Sequence, residues 1–128
     1  VEKILNVLEC QNSELSIVFV EDRKIRAINR EYLGRDKPTN VISFSMQEGD
    51  FSGFSPNVLG DVIISCDTAA AEASESGVSF IERLLSLILH GILHLVGYDH
   101  ERSGEAEARK MEKKEREILD FLRKEGIL

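Results

Sequence analysis

All three histidines of this chain fall within eleven residues: His90-Gly91-Ile92-Leu93-His94-Leu95-Val96-Gly97-Tyr98-Asp99-His100. His90 and His94 are four apart. On a helix that is one turn, so both imidazoles leave the same face and can reach one ion. Gly97 follows three residues after His94. Glycine tolerates the left-handed conformation that ends a helix, so the chain can turn there and bring His100 back as a third ligand. The spacing therefore asks for a helix, a hinge and a return placed around one point. Three histidines gathered by chance in a buried helix are the bland alternative.

Imidazole is a common zinc ligand, and three neutral ligands leave a fourth position open. That describes a catalytic zinc, one ion on His90, His94 and His100, able to lower the pKa of a bound water to about 7. The spacing is similar to that of the metzincin metalloproteases, His-Glu-x-x-His-x-x-Gly-x-x-His. Here Gly91 stands where those proteases carry the glutamate that serves as general base, which speaks against ordinary peptide hydrolysis. Met111 resembles the methionine beneath a metzincin metal, but its helical spacing makes it core filler.

A chain of 128 residues, 42% hydrophobic and 30% charged, suits one soluble domain spanning residues 1–128. Cys10 and Cys66 form no short ligand pair and suit a reduced, intracellular protein. The longest apolar run, Leu84 to Val96, is broken by Ser86, His90, Gly91 and His94. It reads as a buried helix rather than a membrane span. The chain starts at Val1 inside an amphipathic pattern, which leads us to expect a short native segment, such as a strand, ahead of it.

Along the chain, residues 1–10 read as the remainder of a helix, with Val1, Ile4, Leu5 and Leu8 at helical spacing. Residues 15–20 are β-branched and apolar and read as a strand. Glu21 and Asp22 open a helix whose buried side is Ile25, Ile28 and, near its end, Tyr32 and Leu33. A tight turn through Gly34 and Pro38 leads to a strand at 41–45. There Ile42 and Phe44 point one way and Val41, Ser43 and Ser45 the other. That half-polar strand is a candidate site wall. Residues 46–59 are irregular, with Phe51 and Phe54 as loop anchors or base-stacking residues. A strand at 59–65 and an alanine-rich helix from Asp67 to Ser76 follow, the helix ended by Gly77. Ser79-x-x-Glu82 is a capping box opening the histidine helix. The last helix, from Ser103 or Gly104, buries Ala108, Met111, Ile118, Leu119 and Leu122. The expected fold is α+β: a small mixed sheet packed with helices, with a metzincin-like placement of the three-histidine site on a buried helix.

Charge is distributed unevenly. Residues 23–37 hold six basic side chains against two acidic ones, a local +4 in a chain of net charge -7. Arg23, Lys24 and Arg26 read as a solvated helix face. Arg30, Arg35 and Lys37, beside the turn, are candidate phosphate contacts.

Three segments then converge on one family. The histidine stretch resembles the His-Gly-x-Leu-His-Leu-x-Gly-Tyr-Asp-His signature of the YbeY family of bacterial endoribonucleases. Asp36-Lys37-Pro38-Thr39-Asn40-Val41-Ile42-Ser43-Phe44 resembles a second signature of that family and Leu59-Gly60-Asp61-Val62 a third. Together they cover about residues 29–105. The resemblance implies a zinc-dependent, single-strand-specific endoribonuclease of the bacterial cytoplasm. It further implies a role in 16S rRNA 3′-end maturation and ribosome quality control, with single-stranded RNA, 16S rRNA and the ribosomal subunit as partners, no membrane, and His90, His94 and His100 on the metal. The family commonly has an arginine directly after the aromatic that is Tyr32 here, where this chain has Leu33. Arg30 and Arg35 are its candidate replacements.

The expected chemistry is phosphodiester hydrolysis by zinc-bound water, with Arg35 or Lys37 meeting the charge that builds up in the transition state. Asp99, beside His100, orients a ligand or accepts a proton. Two other classes compete: a zinc hydrolase of peptide or amide bonds, and a non-catalytic ribosome-associated zinc protein.

Overall fold

The computed structural model describes residues 1–8, 10, 13–46, 58–97 and 104–127. The expectations for the 46–59 segment, Phe51 and Phe54 included, and for Tyr98, Asp99 and His100 fall almost wholly outside those residues. The elements run α1 (Glu2–Val7), β1 (Glu14–Val20), α2 (Asp22–Leu33), β2 (Val41–Ser45), β3 (Val58–Ser65), α3 (Cys66–Ser76), α4 (Phe80–Leu95) and α5 (Glu105–Lys124). Three strands form one mixed sheet in the order β1-β3-β2. β1 runs parallel to β3, with Val18 opposite Ile63. β2 runs antiparallel to β3, with Ser43 opposite Val62. β3 is the central strand and the most buried, as its apolar run predicts. The α+β class and the small mixed sheet are as expected.

The two faces of the sheet carry different helices. Side chains alternate along a strand, so Ser43 and Phe44 point to opposite faces. The Ser43 hydroxyl donates to the Gly91 carbonyl of α4 at 3.3 Å. The Phe44 ring meets Tyr32 of α2 edge-on, with centroids 5.5 Å apart. So α4 lies on one face and the end of α2 on the other.

The main core is α4 against β3, closed by α1 and α5. Val62, Ile64, Leu89, Ile92, Leu93, Met111, Ile118 and Leu122 are all essentially fully buried in it. Met111 is thus core filler, as its spacing indicates. Gly91 allows the closest approach: a Cβ there would stand 2.5 Å from Val62 Cγ1 and 3.2 Å from Ser43 Oγ. The backbone of α4 rests directly on the side chain of a central strand.

Two expectations need correction. Tyr32 and Leu33 are not buried; they are 64% and 50% exposed. The last turn of α2 lies over the end of edge strand β2, and an edge offers less surface to cover a helix than a sheet interior. The buried residue of that turn is instead Asn29, whose side-chain amide donates to the Lys37 carbonyl at 2.9 Å. Second, only half of the capping box forms as predicted. The Glu82 amide donates to Ser79 Oγ at 3.0 Å, while the Glu82 carboxylate receives Arg123 from α5.

A polar staple joins α2 to α3. The hydroxyls of Ser65 and Thr68 both donate to Asp22 Oδ1, and the Asp22 amide donates to Asp67 Oδ2 at 2.9 Å. Ser65 is fully buried, so its hydroxyl needs that acceptor. The Ser65 bond, then the Thr68 bond, hold the Asp22 carboxyl below its ordinary 3.8.

Two predictions follow from these contacts. Gly91→Ala should lose about 1–2 kcal/mol in urea unfolding: overpacking costs up to about 3, and alanine's helix propensity returns about 1. Adding Val62→Ala to that variant should cost less than it costs the parent, and a Gly91→Ala protein of undiminished stability would refute the close contact. For Asp22, the folded pKa is below the unfolded one. Its contribution is therefore present above the unfolded value and lost as pH falls through the folded value. Asp22→Asn should unfold more readily than the parent at neutral pH, with the gap closing as the pH is taken below 3.8. An unchanging gap down to pH ~3 would sink this account.

Candidate metal centre

The last turns of α4 carry His90 and His94. Gly91 faces Val62, so the sheet side of the helix is taken. The residues on either side of the pair, Leu89, Ile92, Leu93 and Leu95, are buried. Both histidines are half-buried, and His90 turns towards α5. His90 Nε2 and His94 Nε2 stand 3.1 Å apart, with the rings nearly perpendicular at 78°. The one-turn spacing does what it predicts.

His90 Nδ1 lies 2.6 Å from Glu115 Oε1 of α5. A carboxylate accepts only, so Nδ1 carries the proton and donates. In the neutral ring, the form that binds a metal, this leaves Nε2 of His90 with its lone pair directed at His94. Two nitrogen lone pairs so close repel each other unless a proton or a cation lies between them. Two nitrogens each about 2.0–2.1 Å from a tetrahedral zinc would stand about 3.3 Å apart. The observed separation and the pinned tautomer both fit a shared metal ion.

Glu115 was not foreseen, yet its position carried a signal. Met111, Ile118 and Leu122 define the buried stripe of α5, and Glu115 falls on the same stripe, four after Met111 and three before Ile118. A carboxylate on a buried stripe needs a partner.

Among the described residues, no group of three His, Cys, Asp or Glu side chains is gathered to hold a metal. The described part of the expected site is the His90–His94 pair; His100 and Asp99 lie outside the described residues. α4 ends at Leu95, and Gly97 takes φ +107°, a hinge geometry that suits glycine.

The basic candidates Arg30, Arg35 and Lys37 lie together at the end of α2 and in the turn after it, all exposed. Gly34, at φ +70°, ends the helix, and the amides of Gly34 and Arg35 return to the Arg30 and Asn29 carbonyls. Arg26 is taken up by Asp36 at 2.9 Å, which draws the Asp36 carboxyl below its usual range. Among the described residues Arg30, Arg35 and Lys37 make no such ion pair. They sit on the α2 side of β2, whereas the histidine pair belongs to the helix on its other side. The structure thus brings the two histidines together and leaves the basic cluster across one strand from them.

If the pair holds a metal, Glu115 sets its affinity. Glu115→Gln should weaken binding of zinc, or of cobalt followed by its absorption spectrum, by about 10- to 100-fold in competition with a chelator. Unchanged affinity would reduce Glu115 to a helix-to-helix tie.

A sequence model of the family described as Endoribonuclease YbeY matches residues 1–123. The chain is similar to the protein named Endoribonuclease YbeY of Geobacter metallireducens, at 63% identity over 99% of this chain and 85% of that one. It is also similar to its namesake from Aquifex aeolicus, at 46% identity over 94% of this chain and 75% of that one. In shape it is similar to the solution structure of TM1509 from Thermotoga maritima, with a TM-score of 0.62 and 28% identity, covering 98% of this chain and 79% of that one. A match over nearly the whole chain, with the three signature segments inside it, places this chain in the YbeY endoribonuclease family.

Proposed function

We propose that this protein is a zinc-dependent endoribonuclease that cuts single-stranded RNA in the cytoplasm, acting in 16S rRNA 3′-end maturation and ribosome quality control. Membership of an endoribonuclease family supports the RNA substrate. The observation that carries the metal dependence is the pair of Nε2 atoms at 3.1 Å, with the Nδ1 proton of His90 held by Glu115.

His90, His94 and His100 would hold one zinc ion. Bound there, it supplies a Lewis acid for a phosphoryl oxygen and a water acidic near neutral pH. The chain's own groups do the rest. Glu115 keeps His90 in the tautomer that presents Nε2. Asp99 orients a ligand or takes a proton. Arg30, Arg35 and Lys37 engage phosphates, and Arg35 or Lys37 is the cation offered to the charge of the transition state. Their place across β2 suits contact with flanking phosphates as RNA passes around the strand.

A peptidase or amidase reading is opposed by Gly91. A glutamate there would drive its Cβ into Val62, so this helix, packed as it is, has no room for that base at that position. A non-catalytic ribosome-associated zinc protein is the remaining competitor.

The test is cleavage of a labelled single-stranded RNA resembling the 16S 3′ end, by intact protein and by His94→Ala, each with and without chelator. We expect cleavage only by intact protein without chelator, leaving a 5′-phosphate on the downstream product. A 2′,3′-cyclic phosphate would instead show attack by the ribose 2′-hydroxyl. Cleavage by His94→Ala would place the activity elsewhere. RNA binding that survives the mutation, without cleavage by intact zinc-loaded protein, would favour the binding-protein reading.

A further inference from the structure

We propose that Tyr32 is a base-stacking platform for single-stranded RNA, with Arg30, Arg35 and Lys37 holding the phosphates beside the stacked base. The proposal rests on the endoribonuclease reading and adds a residue to it. Tyr32 is 64% exposed, and Leu33 beside it is 50% exposed. Two adjacent exposed side chains of this size form a local apolar patch at the helix end, unlike the singly scattered apolar residues common on surfaces. Tyr32 is also held in place: the Phe44 ring meets it edge-on at 69°, which limits its movement while leaving much of the ring in solvent.

The surroundings select a polyanion. Among the described residues Arg30, Arg35 and Lys37 form no ion pair; Asp36 pairs with Arg26 and lies close enough to feel the charge of Arg30 as well. The turn that carries Arg35 and Lys37 is pinned to α2 by the bond from buried Asn29 to the Lys37 carbonyl. The cations are therefore presented from an anchored backbone. The chain as a whole is net -7, so a nucleic acid is repelled elsewhere and accepted here. Aromatic ring and cations together are what a single strand requires, since any base can stack and any phosphate can pair.

Location connects the platform to the histidines. Tyr32 touches the ring of Phe44. The carbonyl of Phe44 lies against Gly60, where an added Cβ would be 2.0 Å from that oxygen and 3.0 Å from Leu95 Cδ2. Leu95 directly follows His94. Platform and histidine pair thus stand at the same end of the sheet, on either side of β2. β2 is an edge strand, so RNA can pass around it from one to the other without crossing the core.

The experiment is anisotropy of a labelled single-stranded RNA mixed with metal-loaded protein and read in stopped flow before turnover. Tyr32→Ala should raise Kd about tenfold with its salt dependence unchanged, and Tyr32→Phe should stay within about twofold of the parent. Replacing Arg30, Arg35 and Lys37 together by alanine should flatten the slope of log affinity against log salt by about 2. In turnover, Tyr32→Ala should raise KM far more than it lowers kcat. Thermal melting of each variant checks folding. Parental affinity in Tyr32→Ala, or equal loss in Tyr32→Phe, would overturn the platform. So would an intact protein that binds a ribosomal protein through this patch and no RNA. Two outcomes separate this proposal from the reading beneath it. RNA bound through Tyr32 but never cut keeps the platform and removes the nuclease; RNA cut equally well without Tyr32 does the reverse.

Discussion

The contact on which the site depends is the backbone of α4 against Val62. Gly91 has no side chain, so the helix settles onto β3 at a distance that an added Cβ would not allow. The glycine costs about 1 kcal/mol in helix propensity relative to alanine. In return, Leu89, Ile92, Leu93 and Leu95 bury around it with almost no exposure. Because one side of the helix is committed to the sheet, His90 is left facing α5. The same residue that seats the helix removes the position a metalloprotease uses for its base. The packing of this helix on the sheet is set here by a single missing side chain.

Around that contact, the polar groups of the interior come in satisfied sets. Ser65 and Thr68 share the Asp22 carboxylate, Asn29 donates to the Lys37 carbonyl, and His90 donates to Glu115. Each joins two segments that apolar packing alone would leave free to slide. The Glu115 contact differs from the others in its chemistry. It fixes which ring nitrogen carries the proton, and so makes a structural tie between helices into a condition on what the site can bind.

Strand β2 divides the labour. Its Ser43 face supports the histidine helix, and its Phe44 face meets the exposed end of α2. The half-polar alternation noted in the sequence is therefore the mark of a wall with a different partner on each side. A chain of net negative charge places Arg30, Arg35 and Lys37 beside that wall, at the end of α2 and in the turn after it.

The sequence by itself determined what is local. The one-turn spacing of His90 and His94, the glycine hinge at Gly97, the strand alternation and the apolar stripes of α4 and α5 each depend on a few neighbouring residues and a fixed period, and they were legible there. So was the family, through three long segments. Tertiary structure decided what depends on residues distant in the chain. Glu115 reaches His90 across 25 positions. Gly91 meets Val62 from a different element, and Asn29 replaces Tyr32 and Leu33 inside because α2 ends over an edge strand. Periodicity names the side of a helix that turns inward, but only the assembled sheet sets how far along the helix the interior extends.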